Sequence, residues 1–139
     1  MIILDTNVVS EVMRTEPNEA VLRWFDRQPA NSVWTTAVTI YEIEFGLRRL
    51  PEGRRRSNLE QGFRALVSED LGGRILSLNA EAALAAGALG AGLQASGKMG
   101  DVRDLMIAGF ARAWQASVAT RNVGDFENAC QVLNPWEDA

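Results

Sequence analysis

Ile2-Ile3-Leu4-Asp5-Thr6-Asn7 opens the chain with an apolar run that ends in a carboxylate, a hydroxyl and an amide. A short run of this kind predicts a buried strand of a parallel sheet. Ligands of open α/β sheets bind just beyond the carboxyl ends of the strands, so Asp5 is a candidate site residue. A second interpretation is equally open here, because an Asp between a strand and a helix also serves as a helix N-cap.

Short apolar strands and helical patterns alternate along the rest of the chain. Further strands are predicted at 32–36, 74–78, 117–120 and 131–133, and helices at 8–14, from 17 onward, from 38 to just before Pro51, and at 58–71, 80–96 and 102–115. This order predicts an α/β fold with a central parallel sheet and helices on both faces. We find no linker or internal repeat and expect one domain over residues 1–139.

The chain contains no histidine, which narrows the chemistry open to it. Histidine is the commonest general base and transition-metal ligand, so serine–histidine triads, cysteine–histidine pairs and histidine-bound zinc are excluded. Cys130 is the single cysteine, so no intrachain disulfide forms. Carboxylate chemistry remains, and hard oxygen ligands suit Mg²⁺ or Mn²⁺.

Composition and charge indicate an ordinary globular protein. Hydrophobic residues make up 47% and charged residues 23%, and we see neither a secretory leader nor a membrane-spanning segment, so we expect a soluble, cytoplasmic protein. The net charge of -4 does not favour nucleic acid, but positive charge is clustered locally. This arginine cluster is either a phosphate-binding patch or, more commonly, a solvated helix end; it consists of Arg48, Arg49, Arg54, Arg55 and Arg56.

Glu42 is the second candidate acid. It shares a helix face with the apolar Val38 and Phe45, so its carboxylate lies near the core and needs a partner. That partner is a metal ion or an arginine such as Arg49, and we favour the metal. Glu44, by contrast, precedes Arg48 by one helical turn, which predicts an exposed ion pair.

Two later stretches carry further acids. Asp101 and Asp104 begin a helix; Asp101 is well placed as its N-cap, so Asp104 ranks above it as a site residue. Asn122 and Asp125 follow the strand that ends at Thr120, although Asp125 also fits as a turn cap. All these acids fall at one edge of the predicted sheet. Because such a cluster repels itself without cations, it predicts one or two Mg²⁺ or Mn²⁺ ions.

Taken in order, these motifs resemble the PIN-domain ribonucleases of the VapC toxin type, in the FitB-like branch. The resemblance covers nearly the whole chain. It rests on Leu4-Asp5-Thr6-Asn7-Val8-Val9-Ser10-Glu11, Thr39-Ile40-Tyr41-Glu42-Ile43 followed by Gly46, Asp104-Leu105-Met106-Ile107-Ala108, Ala119-Thr120-Arg121-Asn122 with Asp125-Phe126, and Asn134-Pro135-Trp136.

The resemblance implies a PIN-like fold and a Mg²⁺- or Mn²⁺-dependent endoribonuclease in which Asp5, Glu42 and Asp104 bind the ion. Either Asn122 or Asp125 completes the site, Asp101 is a supplementary acid, and Thr6 and Thr120 support the acids. The arginine cluster would guide the RNA backbone. The resemblance also implies a toxin with a cognate antitoxin protein, as a homodimer and a toxin–antitoxin hetero-oligomer.

Two other functions stay open. A non-catalytic PIN-like module that binds RNA or protein is favoured if Asn122 fails to replace an acid. A phosphoryl-transfer enzyme with Asp5 as phospho-acceptor ranks last, because no second acid lies near Asp5 in sequence. Three aromatic residues, Trp24, Phe25 and Trp34, either line a partner groove or, as we favour, fill the core.

Overall fold

The computed structural model describes residues 1–137, and five short strands form its central sheet. They are β1 (Ile2–Leu4), β2 (Val33–Thr36), β3 (Ile75–Leu76), β4 (Ser117–Ala119) and β5 (Val132–Leu133). Their order is β3-β2-β1-β4-β5, and every pairing is parallel. The predicted α/β fold with a parallel sheet is confirmed, and the single domain over 1–139 stays a prediction whose last two residues lie outside the described ones.

Six α-helices connect the strands of the described chain. They are α1 (Thr6–Val12), α2 (Glu19–Arg27), α3 (Ala37–Arg49), α4 (Arg54–Ala65), α5 (Ala80–Ala95) and α6 (Val102–Trp114). A π-helical turn, Leu66–Asp70, continues α4. No helix within residues 1–137 is long and apolar enough to cross a membrane.

The central position of β1 assembles the polar edge of the sheet. Leu4 is in register with Ala119 of β4, and the backbone N–H of Asp5 donates to the carbonyl of Ala119 at 3.0 Å. On the other side, Ile3 is in register with Trp34 of β2. The carboxyl ends of these strands therefore meet at one edge, as the strand pattern predicted.

Two apolar cores cover the two faces of the sheet. Because strand side chains alternate, Leu4 packs into one core with Val8 and Val9, whereas Ile3 packs into the other with Phe110. Trp24 is a buried member of the first core, and Phe25 and Trp34 are partly buried against the first and second core. The core interpretation of these three aromatics is therefore confirmed.

The predicted start of α4 was wrong. The helix begins at Arg54 rather than Asn58, directly after Gly53, whose φ of 152° is a backbone conformation that favours glycine. Arginine is a good helix former, so the three consecutive arginines occupy the first turn.

Helices α5 and α6 pack closely, and this contact fixes the helix that carries Asp104. A Cβ at Gly109 of α6 would clash with the carbonyl oxygen of Ala82 and lie 2.9 Å from the Cβ of Ala86. The glycine thus permits a backbone approach that no other residue allows.

Candidate active site

Asp5 serves both as a helix cap and as the buried acid of the polar edge. Its Oδ1 accepts a hydrogen bond from the backbone N–H of Thr6 at 2.8 Å, which caps α1. Its Oδ2 accepts one from the hydroxyl of Thr120 at 2.8 Å. The residue is 4% exposed. The two interpretations of Asp5 from sequence are therefore compatible, since each uses a different carboxylate oxygen.

Asn7 joins the ends of β1 and β4. Its amide nitrogen donates to the hydroxyl of Thr120 at 3.2 Å, and its carbonyl accepts from the backbone N–H of Arg121 at 3.2 Å. The backbone N–H of Asn122 also donates to the Thr120 hydroxyl, at 3.0 Å. These bonds hold the segment after β4 against Asp5.

Glu42 is held by residues from two other helices. The hydroxyl of Thr6 donates to its Oε1 at 2.8 Å, and that hydroxyl lies 3.3 Å from the Thr39 hydroxyl. Arg103 of α6 is the cation beside Glu42, with Nη1 3.6 Å from Oε2. The alternative partner considered from sequence, Arg49, does not pair with Glu42. Its guanidinium stacks over Phe45 instead, 5.6 Å from the ring centroid.

Asp104 shows the electrostatic strain of the cluster most clearly. Its pKa is raised to about 6, chiefly by burial and in addition by the nearby charges of Asp5, Asp125, Asp101 and Glu42. Burial also raises the pKa of Asp5, against the hydrogen bonds from Thr120 and Thr6, which lower it. Like charges at partial burial are the arrangement that a bound cation relieves.

Asp101 is committed to structure. Its Oδ1 caps α6 by accepting from the backbone N–H of Arg103 at 2.8 Å, and its Oδ2 lies 3.2 Å from Nη2 of the same arginine. The hydrogen bond from the Arg103 side chain lowers the pKa of Asp101. Asp125 instead lies close enough to Asp5 and Asp104 to raise the pKa of both carboxyls.

Three of the predicted acids share one cleft, whereas Asp101 and Asp125 line a neighbouring cavity. A cavity of about 440 Å³ is lined by Asp5, Thr6, Glu42, Asp104 and Asn122, with Asn7 and Arg121 on its wall. Carboxylate, hydroxyl and amide oxygens are ligands that Mg²⁺ and Mn²⁺ accept, so the donor chemistry fits a hard divalent ion. The arrangement is not closed around one point, because no group of three Asp, Glu or Cys side chains within residues 1–137 is positioned to hold an ion.

The family model of the PIN domain matches residues 2–131. The chain belongs to the PIN-domain family.

Known PIN-domain proteins resemble it along its whole length. "VapC ribonuclease Y4jK" of Sinorhizobium fredii is 39% identical over 100% of both chains. "Toxin FitB" of Neisseria gonorrhoeae is 34% identical over 99% of this chain and 100% of the relative. Among solved structures, FitAB bound to an IR36 DNA fragment superposes with a TM-score of 0.88 and 33% identity, covering 100% of this chain and 98% of the other. The resemblance to VapC-type and FitB-like PIN domains is thereby confirmed.

Three residues of this PIN domain site were not predicted as site residues from the sequence: Asn7, Thr39 and Arg103. Asn7 lies only two residues from Asp5, so its polarity at a strand end was a usable signal. Arg103 precedes Asp104 directly, but its contact with Glu42 depends on how α3 and α6 pack, which no local pattern reveals.

Some members of the arginine cluster form ion pairs with glutamates, whereas others line a groove. Arg48 pairs with Glu44 at 2.6 Å, as predicted, and Arg56 pairs with Glu60 at 2.7 Å. Two members instead line a groove of about 900 Å³ that also contacts Thr6 and Glu42 and runs between α1, α3 and α4; these are Arg54 and Arg55.

Asp104→Asn tests the electrostatic strain. The pKa of Asp104 in the folded protein, about 6, exceeds its ordinary 3.8, so ionised Asp104 destabilises the fold above pH 6 and the penalty disappears as the pH falls through this window. In EDTA, the variant is expected to raise the free energy of unfolding by roughly 1–2 kcal/mol at pH 8 and by almost nothing at pH 4. Urea denaturation at both pH values measures this.

Asp26→Asn, at an exposed acid of α2, is the matched control and is expected to change the free energy of unfolding by less than about 0.5 kcal/mol at either pH. A gain for Asp104→Asn that is equal at pH 4 and pH 8 would contradict the electrostatic explanation.

Proposed function

We propose that this PIN domain is the toxin of a toxin–antitoxin pair and cleaves RNA as a Mg²⁺- or Mn²⁺-dependent endoribonuclease. The observation that carries the proposal is the convergence of Asp5, Glu42 and Asp104 on one cleft at the carboxyl edge of the sheet. The names of the full-length relatives, a VapC ribonuclease and a toxin, support the same reading.

Asp5, Glu42 and Asp104 would hold the divalent ion, with Asn122 or Asp125 completing the set. The bound ion supplies Lewis-acid stabilisation of the charge that develops on the phosphate during hydrolysis. The chain itself orients the ligands: Thr120 holds Asp5, and Thr6 holds Glu42. With its pKa at about 6, the Asp104 carboxyl is mostly ionised at neutral pH, and metal binding there would compete with protonation only as the pH falls toward 6 and below.

Arg103 balances the charge of Glu42 in the absence of an ion. Because its guanidinium also binds the exposed Asp101, it can remain paired when Glu42 turns toward a metal. We infer that Glu42 would leave Arg103 to join Asp5 and Asp104 as a metal ligand, while Arg103 would keep its ion pair with Asp101.

A non-catalytic PIN-like module that binds RNA or protein is the second candidate. Two observations favour it: Asn122 brings no negative charge, and no three acids of residues 1–137 are gathered around one point. Cleavage assays separate the candidates, since this module would bind RNA without hydrolysing it.

We further propose a cognate antitoxin as partner, because the structurally similar FitAB and FitAcB are assemblies that contain the related toxin. A toxin–antitoxin hetero-oligomer follows from this. The homodimer stays a prediction; Tyr41 and Phe45 expose apolar surface on α3 of the kind that subunit contacts cover. The cytoplasmic location also stays a prediction.

The arginine cluster is proposed to guide the RNA backbone beside the cleft. Arg54 and Arg55 contribute most, because both line the groove that reaches Thr6 and Glu42. Arg48, Arg49 and Arg56 contribute less, since each already contacts Glu44, Phe45 or Glu60.

Single-stranded RNA incubated with Mg²⁺ or Mn²⁺ is expected to be cut by the parent protein and left intact in EDTA. Asp5→Asn, Glu42→Gln and Asp104→Asn are each expected to lower the cleavage rate by about 100-fold or more, because each removes a charged ligand. Asp101→Asn is the matched control and is expected to retain activity, since Asp101 caps α6. A cognate antitoxin, sought as the product of the neighbouring gene, is expected to suppress cleavage when added.

Cleavage that survives EDTA or the first three substitutions would refute the nuclease proposal. Tight RNA binding without cleavage in either metal would favour the non-catalytic module. Asp125→Asn compared with Asn122→Ala identifies which residue completes the site. An adjacent gene product that neither binds nor inhibits the protein would count against the antitoxin.

The double variant Arg54→Ala, Arg55→Ala tests the RNA path. In EDTA, where RNA stays intact, its affinity is expected to fall and the slope of log K against log[salt] to decrease by about 1, because fewer counterions are released. The double variant Arg23→Ala, Arg27→Ala is the control, since both arginines are exposed on α2 and do not line the groove. An unchanged slope for the first pair would exclude the groove as the RNA path.

A further inference from the structure

A second cavity lies against Asp104, behind the acidic cleft. Its volume is about 410 Å³, within the roughly 300–1,000 Å³ range of small-molecule sites. The end of α5, the start of α6, the loop between them and the segment after Asn122 form its walls. Among its lining residues, only Asp104 and Asp125 have a role in the proposed reaction.

The walls combine apolar surface with a polar edge. Leu93 and Leu105 supply the apolar part, and Ala108 lies at the buried base of α6. Asp125 and Asn128 supply a carboxylate and an amide from one segment. A flat unpaired nucleobase needs this combination, because proteins hold such bases between apolar surfaces and read their edges by hydrogen bonds.

The position of the cavity relates it to the reaction. Asp104 lines both this cavity and the acidic cleft, so an occupant lies directly beside the place where the phosphate would be held. A nucleotide bound with its phosphate in the cleft has its base within reach of the second cavity. Lys98 also lines the cavity, so its charge is mixed, but the apolar walls favour a flat base over a free phosphate, which has no apolar surface to bury.

We propose that this cavity, whose polar edge is Asp125 and Asn128, is a subsite for the nucleobase next to the scissile phosphate and discriminates against uracil. The inference rests on the proposed ribonuclease function. Cytosine, adenine and guanine each present an exocyclic amino group that donates hydrogen bonds to the carboxylate of Asp125 and the amide oxygen of Asn128, whereas uracil has no such group. The site thus favours a class of base rather than one sequence.

Cleavage of single-stranded RNAs that differ at one nucleotide tests the subsite. At one position flanking the cut, the parent is expected to prefer an amino-bearing base over uracil by about tenfold in kcat/KM. Asn128→Ala and Gly124→Leu are each expected to reduce this preference to about twofold or less. Gly124 lines the cavity, and a Cβ there meets no described atom within 4 Å, so a side chain can be added at the cavity wall without a backbone clash.

Gly87→Leu is the matched control, because Gly87 is also open to a Cβ but lies on α5 outside the cavity; it is expected to keep the full preference. An RNA with an abasic nucleotide at the same position is expected to be cleaved more slowly by the parent than an RNA with an amino-bearing base. The parent and Gly124→Leu are expected to cleave this abasic RNA at the same rate. This second readout does not depend on which base is preferred.

The outcomes separate the two proposals. A parent that cleaves no RNA refutes the proposed function itself. A parent that cleaves RNA without any base preference, or cavity variants that keep the full preference, overturn the subsite alone. Variants that keep the base preference but lose affinity for the antitoxin would assign the cavity to a protein contact and would also overturn it.

Discussion

The parallel pairing of β1 between β2 and β4 is the constraint on which the site depends. It aligns the carboxyl ends of the strands, so that Asp5 follows β1 beside Thr120, which follows β4. An ionised carboxylate at 4% exposure is costly unless its oxygens are satisfied. Here a helix N-terminus and a hydroxyl satisfy them, and both arise from the same strand register.

Charge is the second organising factor. Burial raises the pKa values of Asp5 and Asp104, and the nearby carboxylates of Glu42 and Asp125 add to the rise in both. Arg103 supplies a single positive charge, which it shares between Glu42 and Asp101. Arg14 and Arg121 also line the cleft, but Arg14 pairs with Glu11 and Arg121 stacks on Trp136, so the carboxylates are only partly balanced. A divalent ion in the cleft removes the remaining repulsion, which connects the stability of the edge to its proposed chemistry.

The sequence was most informative where local pattern and topology agree. Asp5 and Thr120 could be placed because each follows an apolar strand, and Glu42 because its helix face is apolar. Contacts that depend on helix packing could not be predicted: Arg103 rather than Arg49 meets Glu42, because α6 crosses near α3. The start of α4 was missed because the signal at Pro51 and Gly53 was read as a longer loop.

The position of Mn²⁺ in crystals of the protein, located by anomalous X-ray scattering, decides whether the polar edge is a metal centre. We expect a peak in the cleft bounded by Asp5, Glu42 and Asp104, with Glu42 turned away from Arg103, and no peak in crystals of Asp104→Asn. A cleft that holds no peak at saturating Mn²⁺, with Arg103 still paired with Glu42, would refute the metal centre.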